Sequence, residues 1–304
     1  MLSNTSFKTK CVIRPFLVKP DFRIALIDNS SGQSIALFHG FKFSVFRINV
    51  NQLDHENITV SKFALSTSRV ISVPLSVTNK QAVTHWSTRY EGFIRLLQII
   101  LDTFSIKSVS WSIDNQVDES TDLLVTDWVA NQGLKLSLLK VTGEKMNVGV
   151  VHSFLQLFES NPQLELLGRQ DITRYFFEDY KFSRLRIQNA EWFQLSWAVH
   201  SKTVRLTVRI FDELSLNEFL ILWIATESSD MLEHLDLEQT AGIFNIPSVL
   251  NGLEAVKMDK ESVEDLGIPL IEIKEYYSIT QTLNTNKKAI LYFAEKRFIF
   301  KVVQ

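Results

Sequence analysis

Short β-type segments recur between Lys107 and Glu238 with helix-type segments between them, and nothing else in this chain of 304 residues restricts its fold as strongly. The strand segments are KSVSWSI from Lys107, LKLSLLK from Leu134, LELLG from Leu164, SRLRIQ from Ser183, TVRLTV from Thr203 and LEHLDLE from Leu232. Their starts fall about 20 to 30 residues apart, close to the period of units in which one strand and one helix stack on the next. The spacing predicts an α/β, leucine-rich-repeat-like strand-helix solenoid. Such a body offers a long face for a partner and brings no catalytic group of its own, so recognition is the first function to consider.

The repeats occupy residues 81–240 of a chain read in four parts. In residues 1–20, Phe7 to Val18 reads as a short basic helix that Pro20 ends, because proline and its predecessor resist the α conformation. Residues 21–80 alternate apolar and polar side chains in FRIALID, GQSIALFHG, KFSVFRINV, ITVSKFALS and RVISVPLSV, a pattern that predicts an N-terminal antiparallel β-meander. Within the repeats, helical spacing of Trp86, Tyr90, Phe93, Leu97 and Leu101 predicts a helix over 84–104. Ser120 to Asn131 is the next helix, with Ser120 as N-cap and Gly133 as its stop. Helices over 147–160, 190–200 and 215–225 complete the pattern. Residues 241–304 are a loop-rich passage followed by a β cap, in which KKAILYFAE and RFIFKVV form a hairpin turning near Glu295 and Lys296.

Composition narrows the function classes. With 45% hydrophobic and 22% charged residues the chain has the proportions of a folded globular protein rather than a disordered one. A formal charge of −2 gives no global attraction to nucleic acid or to acidic membrane surfaces, so neither is expected as a partner. The single cysteine, Cys11, excludes an internal disulfide, and no basic stretch followed by an apolar run opens the sequence, which points to an intracellular protein. FLILWIA, from Phe219 to Ala225, is far shorter than the roughly 20 residues a bilayer requires and reads as a core helix.

No catalytic or cofactor constellation emerges from the motifs. The histidines at 39, 55, 85, 152, 200 and 234 have no second ligand at a metal-binding spacing, so no metal site is expected. Neither Gly-x-Ser-x-Gly nor a Cys/His signature is present. Asp118, Glu119 and Asp122 gather where carboxylates complement the positive end of a helix dipole, which makes them capping residues before acid/base catalysts. GEKMNVG, between Gly143 and Gly149, lacks the following Gly-Lys-Ser/Thr of a phosphate loop. The tryptophans and phenylalanines sit mostly at core-facing spacing.

One surface feature remains. If Leu134, Leu136 and Leu138 face the core, the period of two exposes Lys135 and Ser137; the same alternation exposes Arg184 and Arg186, then Arg205 and Arg209, then His234, Asp236 and Glu238. The expected partner-binding residues are therefore Lys135, Arg184, Arg186, Arg205 and Arg209, a basic stripe turning acidic at one end, suited to an acidic protein surface.

The segment from Tyr180 to Glu238 resembles the F-box-associated domain, type 2, of the large nematode F-box families. The resemblance is carried by Leu216, Asn217, Phe219, Leu220 and Trp223 on a helix start, then Leu232, Glu233 and Leu235 on a strand, with NKKAILYFAEKRFIFKVV similar to the family's terminal hairpin. It extends from about Asp21 to the C-terminus. It implies a substrate receptor of an F-box-type ubiquitin ligase complex that acts by binding, with an unidentified protein as substrate and no cofactor. Residues 1–20 resemble only the last helix of the F-box itself, so docking to the Skp-type adaptor and cullin is not implied. The alternative is a stand-alone interaction or decoy protein that no longer engages the ligase.

Overall fold

The computed structural model describes residues 22–303 apart from 30–31, 40–43, 53–59, 67–68, 79–80, 104–105, 115–118, 147, 158–161, 171–179, 226–230, 265–272 and 283–286. The expected basic helix over Phe7 to Val18 and the capping role of Asp118 lie outside these residues. The chain divides into two compact units, residues 1–143 with 149–160 and residues 144–148 with 161–304. Both are mixed α/β.

In the first unit, β1 (Phe22–Asn29), β2 (Gly32–His39) and β3 (Ser44–Gln52) pair antiparallel in sequence order, as their alternation predicts. The meander then breaks. β6 (Gln81–Trp86) inserts parallel to β3 and antiparallel to β5 (Arg69–Thr78), which in turn pairs with β4 (Val60–Ser66). Residues 84–86, expected as helix, thus belong to a strand, and α1 begins only at Arg89 and runs to Thr103. The boundary is set by a cap: Thr88 Oγ1 accepts from the Glu91 amide at 3.2 Å, while the Ser87 hydroxyl donates to the Glu91 carboxylate at 2.9 Å. Trp86 ends the strand against Gly92, where a Cβ would run into the indole.

β1 also takes β7 (Ile106–Asp114) as a parallel neighbour, and β7 pairs parallel with β8 (Lys135–Met146). Between them α2 (Glu119–Asn131) starts one residue before the expected cap Ser120 and stops at Gly133, whose φ of +68° suits a residue without Cβ. The register of β7 on β8 shifts between Val109 and Ser110, pairing Val109 with Leu136 but Ser110 with Leu138. Ser137 is the extra residue of this bulge, and its hydroxyl donates to the Val109 carbonyl at 2.9 Å. Beyond it the alternation changes phase, so Leu134, Leu136, Leu139 and Val141 are buried and Leu138, expected in the core, is only half-buried. α3 (Val148–Leu157) packs Phe154 edge-on to Trp111 with centroids 5.2 Å apart.

In the second unit β9 (Gln163–Gln170), β10 (Arg184–Gln188), β11 (Thr203–Val208) and β12 (His234–Gln239) form a parallel series in sequence order. The helix expected over 190–200 is instead a turn, with Asn189 at φ +54°, followed by a 3₁₀ helix at Leu195–His200; its i to i+3 bonds suit a short segment crowded by Phe193 and Trp197. α4 (Glu213–Ala225) joins β11 to β12. Its cap is Asp212, upstream of the expected start at Ser215: the carboxylate accepts from the Ser215 hydroxyl at 2.6 Å and from the amides of Leu214 and Ser215. These bonds, the hydroxyl first, hold the Asp212 carboxyl below its ordinary pKa.

The passage after β12 carries two short helices, α5 (Ile246–Val249) and α6 (Glu261–Glu264), and a short strand, β13 (Val256–Met258). β14 (Ile273–Thr280), β15 (Lys288–Ala294) and β16 (Arg297–Val303) are antiparallel, and β16 pairs antiparallel with β12, so the expected hairpin ends the parallel series. Phe219 and Trp223 of α4 pack edge-on to Phe300 of β16 at 5.7 and 5.0 Å.

The residues of the helix-start motif are core residues, as expected for a core helix. Leu216, Phe219, Leu220 and Trp223 are buried, and the buried Asn217 donates from Nδ2 to the carbonyls of Val249 at 2.8 Å and Asn251 at 2.9 Å. It ties α4 to the segment around α5. At the other end of α4, the Gln281 side chain donates to the Trp223 carbonyl at 3.0 Å and the Thr282 amide to that of Ile224, satisfying acceptors that a helix C-terminus leaves open.

Candidate functional site

The parallel series of the second unit has two unlike faces. Leu164 and Leu166, Leu185 and Ile187, Val204, Leu206 and Val208, and Leu235 and Leu237 are buried on one. The alternate residues form the other, and pairing aligns them in rows: Glu165, Arg186, Arg205, Asp236 and Ile299 in one, Thr203, His234 and Lys301 in the next. Neighbouring strands lie about 4.8 Å apart, so side chains in a row are within reach of one another.

The row is not evenly charged. Asp236, expected to be exposed, is 4% exposed, because Arg297 and Arg205 close over it. The Arg297 guanidinium donates to both carboxylate oxygens, from Nε at 2.7 Å and from Nη2 at 2.8 Å. Arg205 places Nε 3.5 Å from the same carboxylate and donates from Nη2 to Glu238 at 3.2 Å. The positive charge of Arg205 is thereby compensated. Arg297 escaped the sequence reading because it lies on β16, and only the long-range pairing of β16 with β12 brings it here; the alternation of RFIFKVV was the available signal.

His234 is half-buried beside this network. Burial lowers its pKa, Asp236 opposes that shift, and the positive charges of Lys301 and Arg297 reinforce it. The row runs out into an apolar cluster of Val263, Tyr276, Ile290, Tyr292 and Ile299, with α6 supplying Val263. Burial there pushes the Tyr292 hydroxyl up to about 12.

The expected binding residues therefore separate. Arg184 is exposed and Arg186 half-buried on β10, and neither is ion-paired with another described residue. They stand two residues apart on one face, about 6.6 Å along the strand. Arg205 is on the same face but neutralised. Arg209 follows the last residue of β11 and belongs to the edge where the strand ends. Lys135 is exposed on β8, in the first unit.

Among the described residues no three His, Cys, Asp or Glu side chains are grouped to hold a metal, and no helix is long and apolar enough to cross a membrane. The arrangement can pair with carboxylates through Arg184 and Arg186, which have no ion pair among the described residues. In comparison with known proteins, the chain matches no family model, no curated protein and no solved structure.

Proposed function

We propose that this chain is a protein-interaction module that acts by binding alone, and that it serves as a substrate receptor of an F-box-type ubiquitin ligase complex inside the cell, as its resemblance to the F-box-associated domain implies. The observation that carries the binding reading is the pair Arg184 and Arg186: two guanidinium groups with no ion pair among the described residues, on an open polar face where Arg205 and Arg297 are held by Asp236 and Glu238. Guanidinium pairs carboxylate bidentately, and complementary fields speed association, so the partner is a protein presenting acidic side chains. The reading assigns the chain no cofactor and no chemical step.

The experiment is affinity capture from lysate with the wild-type chain beside Arg184→Glu/Arg186→Glu at matched thermal stability. Loss of a defined set of proteins from the variant supports the face, and recovery of a Skp-type adaptor with both forms supports the ligase assignment. Equal recovery of all partners refutes the face, and absence of the adaptor from both favours the stand-alone interaction or decoy protein that no longer engages the ligase.

A further inference from the structure

Seven large hydrophobic side chains are conspicuously exposed among the described residues, and five of them lie around α4: Ile210 at 62%, Leu214 at 64%, Ile221 at 46%, Leu222 at 40% and Ile243 at 66%. At 100° per residue, Leu214, Glu218, Ile221, Leu222 and Ala225 share one face of α4, directly opposite the buried Leu216, Phe219, Leu220 and Trp223. A helix apolar on both faces belongs between two layers, and the described residues supply only one.

The platform is rigidly held. The Arg209 amide donates to Glu191 at 2.7 Å, Ala241 to the Arg209 carbonyl at 2.8 Å, Phe211 to the Gln239 side chain at 3.2 Å and Asn245 to Glu213 at 3.4 Å. These bonds bring the loops of Ile210 and Ile243 to the start of α4. The left-handed Gly242, at φ +78°, makes the turn that sets Ile243 outward.

Charge selects the occupant. α4 carries Glu213 and Glu218 and neither lysine nor arginine, and Asp212 at its start is held ionised. Glu218 sits midway between Leu214 and Leu222. A second copy laid antiparallel on this face would set Glu218 against Glu218, a like-charge contact that opposes self-association.

We propose that the outer face of α4, extended by Ile210 and Ile243, docks a basic amphipathic helix of a partner protein, its apolar side chains on Leu214, Ile221 and Leu222 and its lysine or arginine residues toward Glu218 and Asp212. Leu214 and Leu222 are eight residues apart, about 12 Å, two turns of such a helix. This surface is separate from the face of Arg184 and Arg186 and does not depend on it.

The test uses a synthetic helical peptide with leucine at helical spacing and lysine elsewhere, and a control with glutamate replacing lysine, each titrated into the full chain by fluorescence anisotropy. The lysine peptide binds at least about tenfold more tightly than the control, Leu214→Ser/Ile221→Ser weakens it about tenfold, and Glu218→Lys reverses the preference. Glu218→Lys alters one exposed charge, so it keeps the test valid if the double variant unfolds. Equal binding of both peptides, indifference to Glu218→Lys, or a dimer in sedimentation that Leu214→Ser/Ile221→Ser dissolves would each overturn the proposal.

Discussion

Replacing Arg297 with methionine keeps most of the side-chain length and removes the charge that closes the Asp236 carboxylate. Asp236 is 4% exposed, and its two short hydrogen bonds both come from Arg297. What remains is Arg205 Nε at 3.5 Å, a charge already shared with Glu238. Stranding one member of a buried pair costs about 3 to 5 kcal/mol, but Arg297 is itself 45% exposed, so water reaches part of the vacated site and the expected loss is about 2 to 3 kcal/mol. Asp236→Asn removes the stranded charge, so Asp236→Asn/Arg297→Met should be at least about 1 kcal/mol more stable than Arg297→Met alone. Urea unfolding at neutral pH, followed by circular dichroism, measures all three variants. An Arg297→Met protein within about 0.5 kcal/mol of wild type would show that the Asp236 carboxylate is not closed off from water as described.

Asn217→Leu should cost about 2 to 3 kcal/mol by leaving the Val249 and Asn251 carbonyls without their donor, and chemical denaturation checks it. Gly92→Ala should lower the melting temperature of the chain, because Trp86, 6% exposed, has to leave its packed position; calorimetry reads the shift, and an unchanged midpoint would contradict the contact. The Tyr292 hydroxyl, raised to about 12 by burial, ionises in the unfolded chain near 10 but not in the folded one, so stability is intact below about pH 10 and falls as pH rises toward 12. Tyr292→Phe should flatten that decline and, since the hydroxyl is buried without a partner, stabilise the chain by about 1 kcal/mol at neutral pH.

The parallel strands were legible because leucine, isoleucine and valine alternate with polar residues in short runs separated by helix-length connections; β10 and β11 fall inside the segments read from them, and β12 runs one residue past its segment. Three features were not. The bulge at Ser137 leaves no periodic trace beyond a serine among leucines, so the alternation was carried one residue too far. The start of α1 was misplaced because Trp86 fits helical spacing, although Thr88 and Glu91 together spell a capping box. The neutralisation of Arg205 depends on Arg297, 61 residues beyond Asp236 in the chain. Local periodicity reads which face a side chain takes; it does not read which distant charge meets it there.

The most direct measurement of the binding claim is a titration of the folded chain with a glutamate-rich peptide, read by anisotropy at low and at physiological salt. Guanidinium groups open to solvent and without an ion pair among the described residues should make binding salt-dependent, and Arg184→Glu/Arg186→Glu should weaken it at least about tenfold. Arg205→Met, whose charge Glu238 and Asp236 already answer, should weaken it no more than about threefold. Binding that is unaffected by the Arg184 and Arg186 reversals, or lost only with Arg205, would contradict the assignment of this face.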